Sequence, residues 1–244
     1  MERVMKACEK RDESGLRRVI GVSVDGKGRV STIMELMAGD LRNLIDRRIP
    51  WLIPFARLGL MKAIANGMKE LHGCGFIHKD LKASNILFTV EPNLPVGDKH
   101  DKRFVGRFLS EDPSYLRRQK IVVKIGDYES PDDVDGTGFF RAPEVLRALR
   151  DGTKVEYSAA VDVYGFGMVC YEVLTEKLPF QGHAMSDYDL VLSGKRPDVS
   201  DQRLWVRELL HRCWDEDPHQ RPGWDEILQI LERPRRDWSI QCRN

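Results

Sequence analysis

The stretch that decides the fold is Ile77-His78-Lys79-Asp80-Leu81-Lys82-Ala83-Ser84-Asn85-Ile86-Leu87. Before it, apolar residues recur every three or four positions from Leu58 to Leu71, which predicts an amphipathic helix that ends near Gly73. After its polar first half, the apolar run Asn85–Val90 predicts a short strand. Taken alone, the stretch therefore fits an ordinary polar loop between a helix and a strand.

Four further motifs follow it in the chain and give it a second interpretation. They are Lys124-Ile125-Gly126-Asp127-Tyr128-Glu129, Gly136-Thr137-Gly138-Phe139-Phe140-Arg141-Ala142-Pro143-Glu144, Val161-Asp162-Val163-Tyr164-Gly165-Phe166-Gly167, and Cys213-Trp214 followed by Asp217-Pro218 and Arg221-Pro222. With them the chain resembles the protein kinase domain over roughly residues 16–233. The decisive stretch then matches the catalytic loop H-R-D-L-x-x-x-x-N, with Lys79 in place of arginine.

The resemblance implies catalytic and metal-binding roles for five residues. Asp80 would orient a substrate hydroxyl and accept its proton, Lys82 would neutralise charge on the transferred phosphoryl group, and Thr137 lies in the substrate-positioning segment. Asn85 and Asp127 match the ligands of Mg²⁺. Both Lys82 and Thr137 are similar to the residues of serine/threonine kinases. The Trp-x-x-Asp-Pro ending resembles the tyrosine-kinase-like group, plant members especially.

The resemblance also implies an ATP site and a set of structural residues. Met34 would be the gatekeeper, Glu35 and Met37 would belong to the hinge that faces adenine, and Leu87 would lie under the adenine ring. Asp162 would hold the backbone of the catalytic loop. Structural roles are implied for His78, Glu144, Asp162 and Arg221, with Arg221 paired to Glu144. The implied cofactors are ATP and Mg²⁺, and the implied partner is a protein substrate or a signalling partner.

The implied fold class is α+β, a kinase-like fold with a mainly helical C-lobe and a partial β N-lobe. Periodicity agrees, since two β-branched runs flank Asp25-Gly26-Lys27-Gly28 as in a hairpin, and Ile121–Ile125 predicts a further strand. The later chain is helical by period over Pro143–Arg150, Ala159–Thr175, Leu204–Trp214 and Trp224–Arg233. We expect a partial N-lobe and hinge over residues 1–38, a C-lobe over 39–235 and a tail over 236–244.

The polar segment 91–120 lies inside the expected C-lobe. It contains seven Lys or Arg residues: Lys99, Lys102, Arg103, Arg107, Arg117, Arg118 and Lys120. A solvated surface loop inserted in the C-lobe is the simpler interpretation. A docking site for an acidic partner is the alternative.

The sequence departs from the kinase pattern in three ways. It contains neither a glycine-rich phosphate loop nor a V-A-I-K lysine, so Glu2, a candidate for the ion-pair glutamate, has no such partner. Glu129 replaces the glycine that follows Asp127 and Tyr128, which removes a permissive backbone position. The segment after it is short and acidic. We hypothesise that Asp132, Asp133 and Asp135 lie near Lys79 and replace an activating phosphate.

Composition limits the other classes of function. The chain has 244 residues, 41% hydrophobic and 32% charged, with a net charge of +1. This length suits one or two domains with a proper core. A general nucleic-acid binder needs a basic excess, so we expect no nucleic-acid partner.

Cysteine usage and hydropathy indicate where the protein works. The five cysteines are scattered without a CxxC pair, which predicts reduced thiols. The N-terminus has no apolar signal core. The most apolar stretch, Val161–Leu174, carries Asp162 and Glu172 and is too short to span a bilayer. We expect a cytoplasmic protein, with the nucleus as the alternative, and no membrane span.

Two functions and one simpler explanation follow. The chain is an ATP- and magnesium-dependent serine/threonine kinase domain with an incomplete N-lobe, or it is a catalytically impaired pseudokinase that acts as a scaffold or allosteric module. The simpler explanation is a truncated gene product whose parent carries the rest of the N-lobe.

Overall fold

The computed structural model describes residues 14–46, 54–91, 120–128 and 136–232. Strands β1 (Val19–Val24) and β2 (Val30–Met34) form the predicted antiparallel hairpin. Its turn is fixed by Asp25, whose Oδ1 accepts a hydrogen bond from the backbone N–H of Lys27 at 2.8 Å. Gly28 has a φ of 75°, a conformation that glycine adopts without steric cost.

A three-stranded antiparallel sheet joins the hairpin side of the molecule to the helices. Its order is β3 (Gly39–Asp40), β4 (Ile86–Glu91) and β5 (Lys120–Ile125). The last two strands are those predicted on either side of the polar segment, and the pairing Ile86↔Ile125 begins their register. A parallel bridge from Leu16 to Ile125 brings the first described residues beside β5. Helix α1 (Leu41–Asp46) follows β3 directly; its six residues are too few to show a period in the sequence.

Helix α2 (Pro54–Gly73) and the later helix α4 (Ala160–Thr175) form the centre of the larger part. Helix α2 is the predicted amphipathic helix. Helix α3 (Pro143–Asp151) comes between them in the chain and begins with a proline, as helices often do. Helix α4 (Ala160–Thr175) is buried from Val161 to Leu174, so the most apolar stretch of the sequence is a core helix. Helix α4 packs against α2, and α2 also packs against β5.

The remaining helices pack on those already described. They are α5 (Asp189–Leu192), α6 (Leu204–Cys213) and α7 (Trp224–Glu232). Helix α6 packs on α4, while α7 packs on α2. One continuous core of apolar residues results, and it includes the fully buried Trp214 and Phe166.

The predicted α+β class, with a mainly helical larger part and a partial β part, is confirmed. The four predicted late helices are observed, with ends that differ by one residue at most within the described chain. No helix of the described ranges has the length and apolar character needed to cross a membrane. The cysteines of these ranges, Cys74, Cys170 and Cys213, are free thiols, and burial raises the pKa of Cys213 to about 12.

Several sequence predictions fall outside the described residues. These are the role of Glu2, the character of residues 92–119, the position of Glu129, the contact of Asp132, Asp133 and Asp135 with Lys79, and the tail at 236–244. The domain boundaries also remain predictions.

Candidate active site

The structure brings the three predicted catalytic residues together. Lys82 lies at the start of a single helical turn, Ala83–Asn85, that links the loop to β4. Its Nζ donates to Asp80 Oδ2 at 2.6 Å and to Thr137 Oγ1 at 2.7 Å. Lys82 therefore connects the loop to a segment 55 residues further along the chain.

The carboxylate of Asp80 is held from one side. The amide nitrogen of Asn85 donates to the backbone carbonyl of Asp80 at 2.8 Å and to its Oδ2 at 3.3 Å. Oδ2 thus receives hydrogen bonds from both Lys82 and Asn85. Oδ1 is buried and has no hydrogen-bond partner within the described residues. A buried acceptor without a donor is costly unless a ligand supplies one, so Oδ1 is the oxygen suited to receive a hydroxyl.

Asn85 and Asp127, the predicted metal ligands, are connected through the backbone between them. The N–H of Gly126 donates to the carbonyl of Asn85 at 2.9 Å. The next residue, Asp127, is exposed and has a φ of 59°, an uncommon conformation outside glycine. Both side-chain hydrogen bonds of Asn85 use its nitrogen, so its amide oxygen points away from Asp80. An amide oxygen and one carboxylate are ligands that suit Mg²⁺.

Two or three donors from protein side chains are enough for that ion, because Mg²⁺ keeps waters and binds substrate phosphates. In the described ranges no group of three or more His, Cys, Asp or Glu residues could form a metal cage. The pair Asn85 and Asp127 fits a metal that is shared with a phosphate ligand, and it does not fit a structural metal.

The predicted structural residues of the loop also meet. Asp162, 1% exposed at the start of α4, accepts the backbone N–H of His78 at 2.7 Å and that of Lys79 at 2.8 Å. The N–H of Asp80 faces Nδ1 of His78 at 3.3 Å, so Nδ1 is the acceptor and Nε2 donates to the carbonyl of Gly126 at 2.9 Å. Asp162 and His78 thus fix the loop that carries Asp80 relative to the residue before Asp127.

Glu144 and Arg221 form a bidentate ion pair. The guanidinium of Arg221 donates to both carboxylate oxygens at 2.7 Å, and its side chain is fully buried. It also donates to the carbonyl of Ala160 at 2.9 Å. The pair therefore joins the first turn of α3 to the start of α4.

The predicted adenine-binding residues are placed less simply. The carboxylate of Glu35 is bound by Lys124 Nζ at 2.8 Å, and the carbonyl of Glu35 accepts from Nε of Arg17 at 3.2 Å. Leu87 pairs with Lys124 across β4 and β5 and packs closely on Gly126. Met37 is partly buried. Leu87 thus lies beside Gly126, the residue before the predicted metal ligand Asp127. Both the carboxylate and the carbonyl of Glu35 already accept hydrogen bonds.

Glu172, in α4 near the turn Ala83–Asn85, was not identified as functional from the sequence. Its carboxylate is 1% exposed and accepts from Arg42 of α1 at 2.7 Å. Burial raises the pKa of Glu172 to about 7, because the loss of solvation outweighs the Arg42 ion pair and the N–H of Ala83. A glutamate inside the most apolar stretch of the chain was the available signal.

Other contacts were also missed or could not be predicted. Lys124 lies between the apolar residues Val123 and Ile125 of β5, and nothing in the sequence connects it to Glu35. Lys79, which we expected near the acidic segment, lies within the described residues. Its Nζ is 5.0 Å from the ring centroid of Tyr157, a cation–π contact. The side chain of Tyr128 donates to the carbonyl of Arg17, which phenylalanine at that position could not do.

Comparison with known proteins agrees with this geometry. A family model described as protein kinase domain matches residues 5–231 of the 244-residue chain. The chain therefore belongs to the protein kinase family, and the kinase-like fold predicted from its motifs is confirmed. Members of this family generally use ATP and Mg²⁺.

Relatives with curated names are kinases too. The dual specificity protein kinase shkE of Dictyostelium discoideum is 29% identical over 219 residues, covering 87% of this chain and 28% of that protein. A light-sensor protein kinase of Ceratodon purpureus is 34% identical, covering 84% and 16%. The serine/threonine/tyrosine-protein kinase HT1 of Arabidopsis thaliana is 31% identical, covering 82% and 46%. The chain thus spans less than half of the length of these relatives.

Proposed function

We propose that this chain transfers the γ-phosphate of ATP to serine or threonine hydroxyls of proteins. The observation that carries the proposal is the asymmetric setting of Asp80. Its Oδ2 is held by Lys82 and Asn85, and its buried Oδ1 has no hydrogen-bond partner within the described residues. A carboxylate fixed in this way is ready to bind a hydroxyl in one orientation.

In the proposed reaction, Oδ1 of Asp80 takes the proton of the substrate hydroxyl. The hydroxyl oxygen forms a bond to the γ-phosphorus of ATP, the bond from that phosphorus to the β–γ bridging oxygen breaks, and ADP and a phosphoprotein result. Lys82, which contacts Asp80 and Thr137, supplies a positive charge where negative charge develops. Thr137 positions the segment against which the substrate lies.

The residues present fit a magnesium ion shared with the nucleotide. Asn85 would contribute its amide oxygen and Asp127 its exposed carboxylate. The metal would neutralise phosphate charge in the transition state. Met37 and Leu87 would contact the adenine, and the carbonyl of Glu35, which already accepts from Arg17, would offer it a second lone pair.

A second function is supported by the same hinge. Nε of Arg17 already donates to the carbonyl of Glu35, so adenine has to share this acceptor with a guanidinium. Glu129 stands where the family has a glycine, two positions after the candidate metal ligand Asp127, and adds a second carboxylate to this part of the sequence. Both features favour a pseudokinase that keeps the fold as a scaffold or an allosteric partner.

A phosphotransfer assay separates the two functions. The full chain is incubated with Mg²⁺ and ATP radiolabelled in its γ-phosphate, together with serine, threonine and tyrosine peptide libraries. Tyrosine is included because the names of some relatives include dual specificity. We expect transfer to serine and threonine, reduced about 100-fold or more in Asp80→Asn, since a positioned base contributes roughly 10²–10⁴-fold.

The matched control is Asp151→Asn, which makes the same chemical change at an exposed carboxylate of α3. It should keep wild-type transfer. Equal transfer by wild type and Asp80→Asn would contradict the assignment of Asp80. A folded wild-type chain without any transfer supports the scaffold function instead. Thermal stabilisation by Mg²⁺ and ATP, compared with Asp127→Asn, then tests nucleotide binding separately.

A further inference from the structure

A chain of hydrogen bonds leads from helix α7 to the loop that carries Asp80. His72, in the last turn of α2, lies between α7 and α4. The indole Nε1 of Trp224, the first residue of α7, is 2.7 Å from Nδ1 of His72. Nε2 of His72 is 2.7 Å from Oδ2 of Asp162. All three side chains are largely buried, with 12% exposure at His72 and 1% at Asp162.

The chemistry of these groups fixes the position of every proton in the chain. An indole nitrogen can only donate, so Nδ1 of His72 has to be the acceptor and carries no proton. The proton of the neutral imidazole then lies on Nε2, which donates to Asp162. A proton on Nδ1 would bring two N–H groups face to face at 2.7 Å. Trp224 therefore selects one tautomer of His72.

Asp162 passes this selection to the catalytic loop. Its Oδ2 accepts both from His72 and from the backbone N–H of His78, while its Oδ1 accepts from the N–H of Lys79. Lys79 has a φ of 68°, which is uncommon for a residue with a side chain and needs support from its surroundings. The next residue is Asp80.

We propose that Trp224 is a positioning residue for the catalytic loop, acting through the tautomer of His72 and the carboxylate of Asp162. The simpler alternative is that Trp224 only packs. Its ring lies edge to face against those of His72 and Phe166, with distances of 5.4 and 5.5 Å between ring centroids. The inference depends on the fold and needs no phosphotransfer, so its failure is separate from a failure of the proposed kinase activity.

Phenylalanine separates the two roles. Trp224→Phe keeps an aromatic ring in the core and removes the N–H donor. The ion pair between Lys69 and Asp225 joins the same two helices at the surface and remains in this variant. The matched control is Trp214→Phe, because the buried Nε1 of Trp214 has no hydrogen-bond partner among the described residues. This control loses an indole from the same core without losing such a bond.

The first measurement is made on the unmodified full chain. Long-range ¹⁵N–¹H spectra, with the His72 signals assigned through His72→Leu, report which ring nitrogen carries the proton. We expect protonated Nε2 and unprotonated Nδ1 in the wild type, and a mixture of tautomers in Trp224→Phe. A wild-type spectrum with the proton on Nδ1 overturns the proposal, whatever the variants do.

The second measurement is amide hydrogen exchange at His78 and Lys79. Exchange at these two amides should be about three- to tenfold faster in Trp224→Phe, the range expected for one weakened hydrogen bond. The rates should change less than twofold in Trp214→Phe. His72→Leu has neither donor nor acceptor, so it interrupts the same path at its centre and should accelerate exchange at least as much as Trp224→Phe. This second variant keeps the test available if the tryptophan variant does not fold. Unchanged rates, or equal acceleration in the control, overturn the proposal.

Discussion

The loop around Asp80 and the hairpin β1–β2 are stabilised in opposite ways. The loop has little regular secondary structure, yet the backbone N–H groups of His78 and Lys79 donate to the buried carboxylate of Asp162. The hairpin is regular, yet only Val19 of its apolar side chains is buried, and five others remain between 48% and 68% exposed: Ile20, Val22, Val24, Val30 and Ile33. In these two segments, contact with the helical core therefore does not depend on regular secondary structure.

The difference has an energetic basis. Buried charged groups are tolerated only when they are paired and hydrogen-bonded, so each one ties several segments together. A two-stranded ribbon without a covered face gains little from burial and is marginal by itself. We therefore expect the effects of substitution to be large at the buried ionic groups and small in the hairpin.

The largest effect is expected at Arg221, which supports the helical side of the comparison. Arg221→Met leaves the carboxylate of Glu144 without its bidentate partner and removes the donor to the carbonyl of Ala160. Breaking a buried pair from one side costs about 3–5 kcal/mol. We expect a loss of this size in the free energy of unfolding, measured by urea denaturation.

The control is Arg150→Met, since the guanidinium of Arg150 is 56% exposed in its pair with Asp151. It should change stability by less than about 1 kcal/mol. The double variant Glu144→Leu with Arg221→Met should recover much of the loss, because an apolar replacement of both partners removes the unpaired charge. A single variant as stable as the wild type would show that the pair contributes nothing.

The second effect concerns Glu172, the carboxylate under the catalytic loop, and it depends on pH. Burial raises the pKa of Glu172 from 4.5 to about 7 in the folded chain. The folded state therefore binds this proton more tightly than the unfolded state does. The resulting stabilisation of the folded state is complete below about pH 4.5 and is lost as the pH rises through 7. Between these pH values the free energy of unfolding of the wild type should fall by about 2–3 kcal/mol. The Glu172→Gln variant should not show this fall.

The measurement is the free energy of unfolding of both proteins between pH 5 and 8, roughly the range in which this group changes charge. The difference between the two curves removes the pH dependence of every other group. Parallel curves would mean that Glu172 titrates normally and that the Arg42 pair compensates for its burial.

The smallest effect is expected in the hairpin. Replacing Val22 and Val24 by threonine keeps the β-branched shape and makes an exposed face more polar. We expect a change within about 0.5 kcal/mol in the free energy of unfolding, as for most surface substitutions. A loss above about 1 kcal/mol, together with a change in elution volume in gel filtration, would show that this face is covered in solution.

The same contrast explains what could be predicted from the sequence. The roles of Asp80, Lys82, Asn85 and Thr137 could be predicted because their motifs are local and ordered. The hairpin could be predicted from two β-branched runs around a glycine-containing turn. The partners of Glu35, Glu172 and His72 could not be, since each contact joins segments far apart in the chain. No motif connects His72 with Trp224, and only their geometry shows that they share a hydrogen bond.

The ladder between β4 and β5 has a practical consequence. Six cross-strand pairs run from Ile86 and Ile125 at one end to Glu91 and Lys120 at the other. Asn85 and Gly126 lie just beyond the first end, and the chain departs and returns at the second. Lengthening the connection between two paired strands costs only about 0.6 kcal/mol per doubling of its length. A reporter or sensor module spliced between Glu91 and Lys120 would thus be joined to the ladder at the end opposite to Asn85 and Gly126.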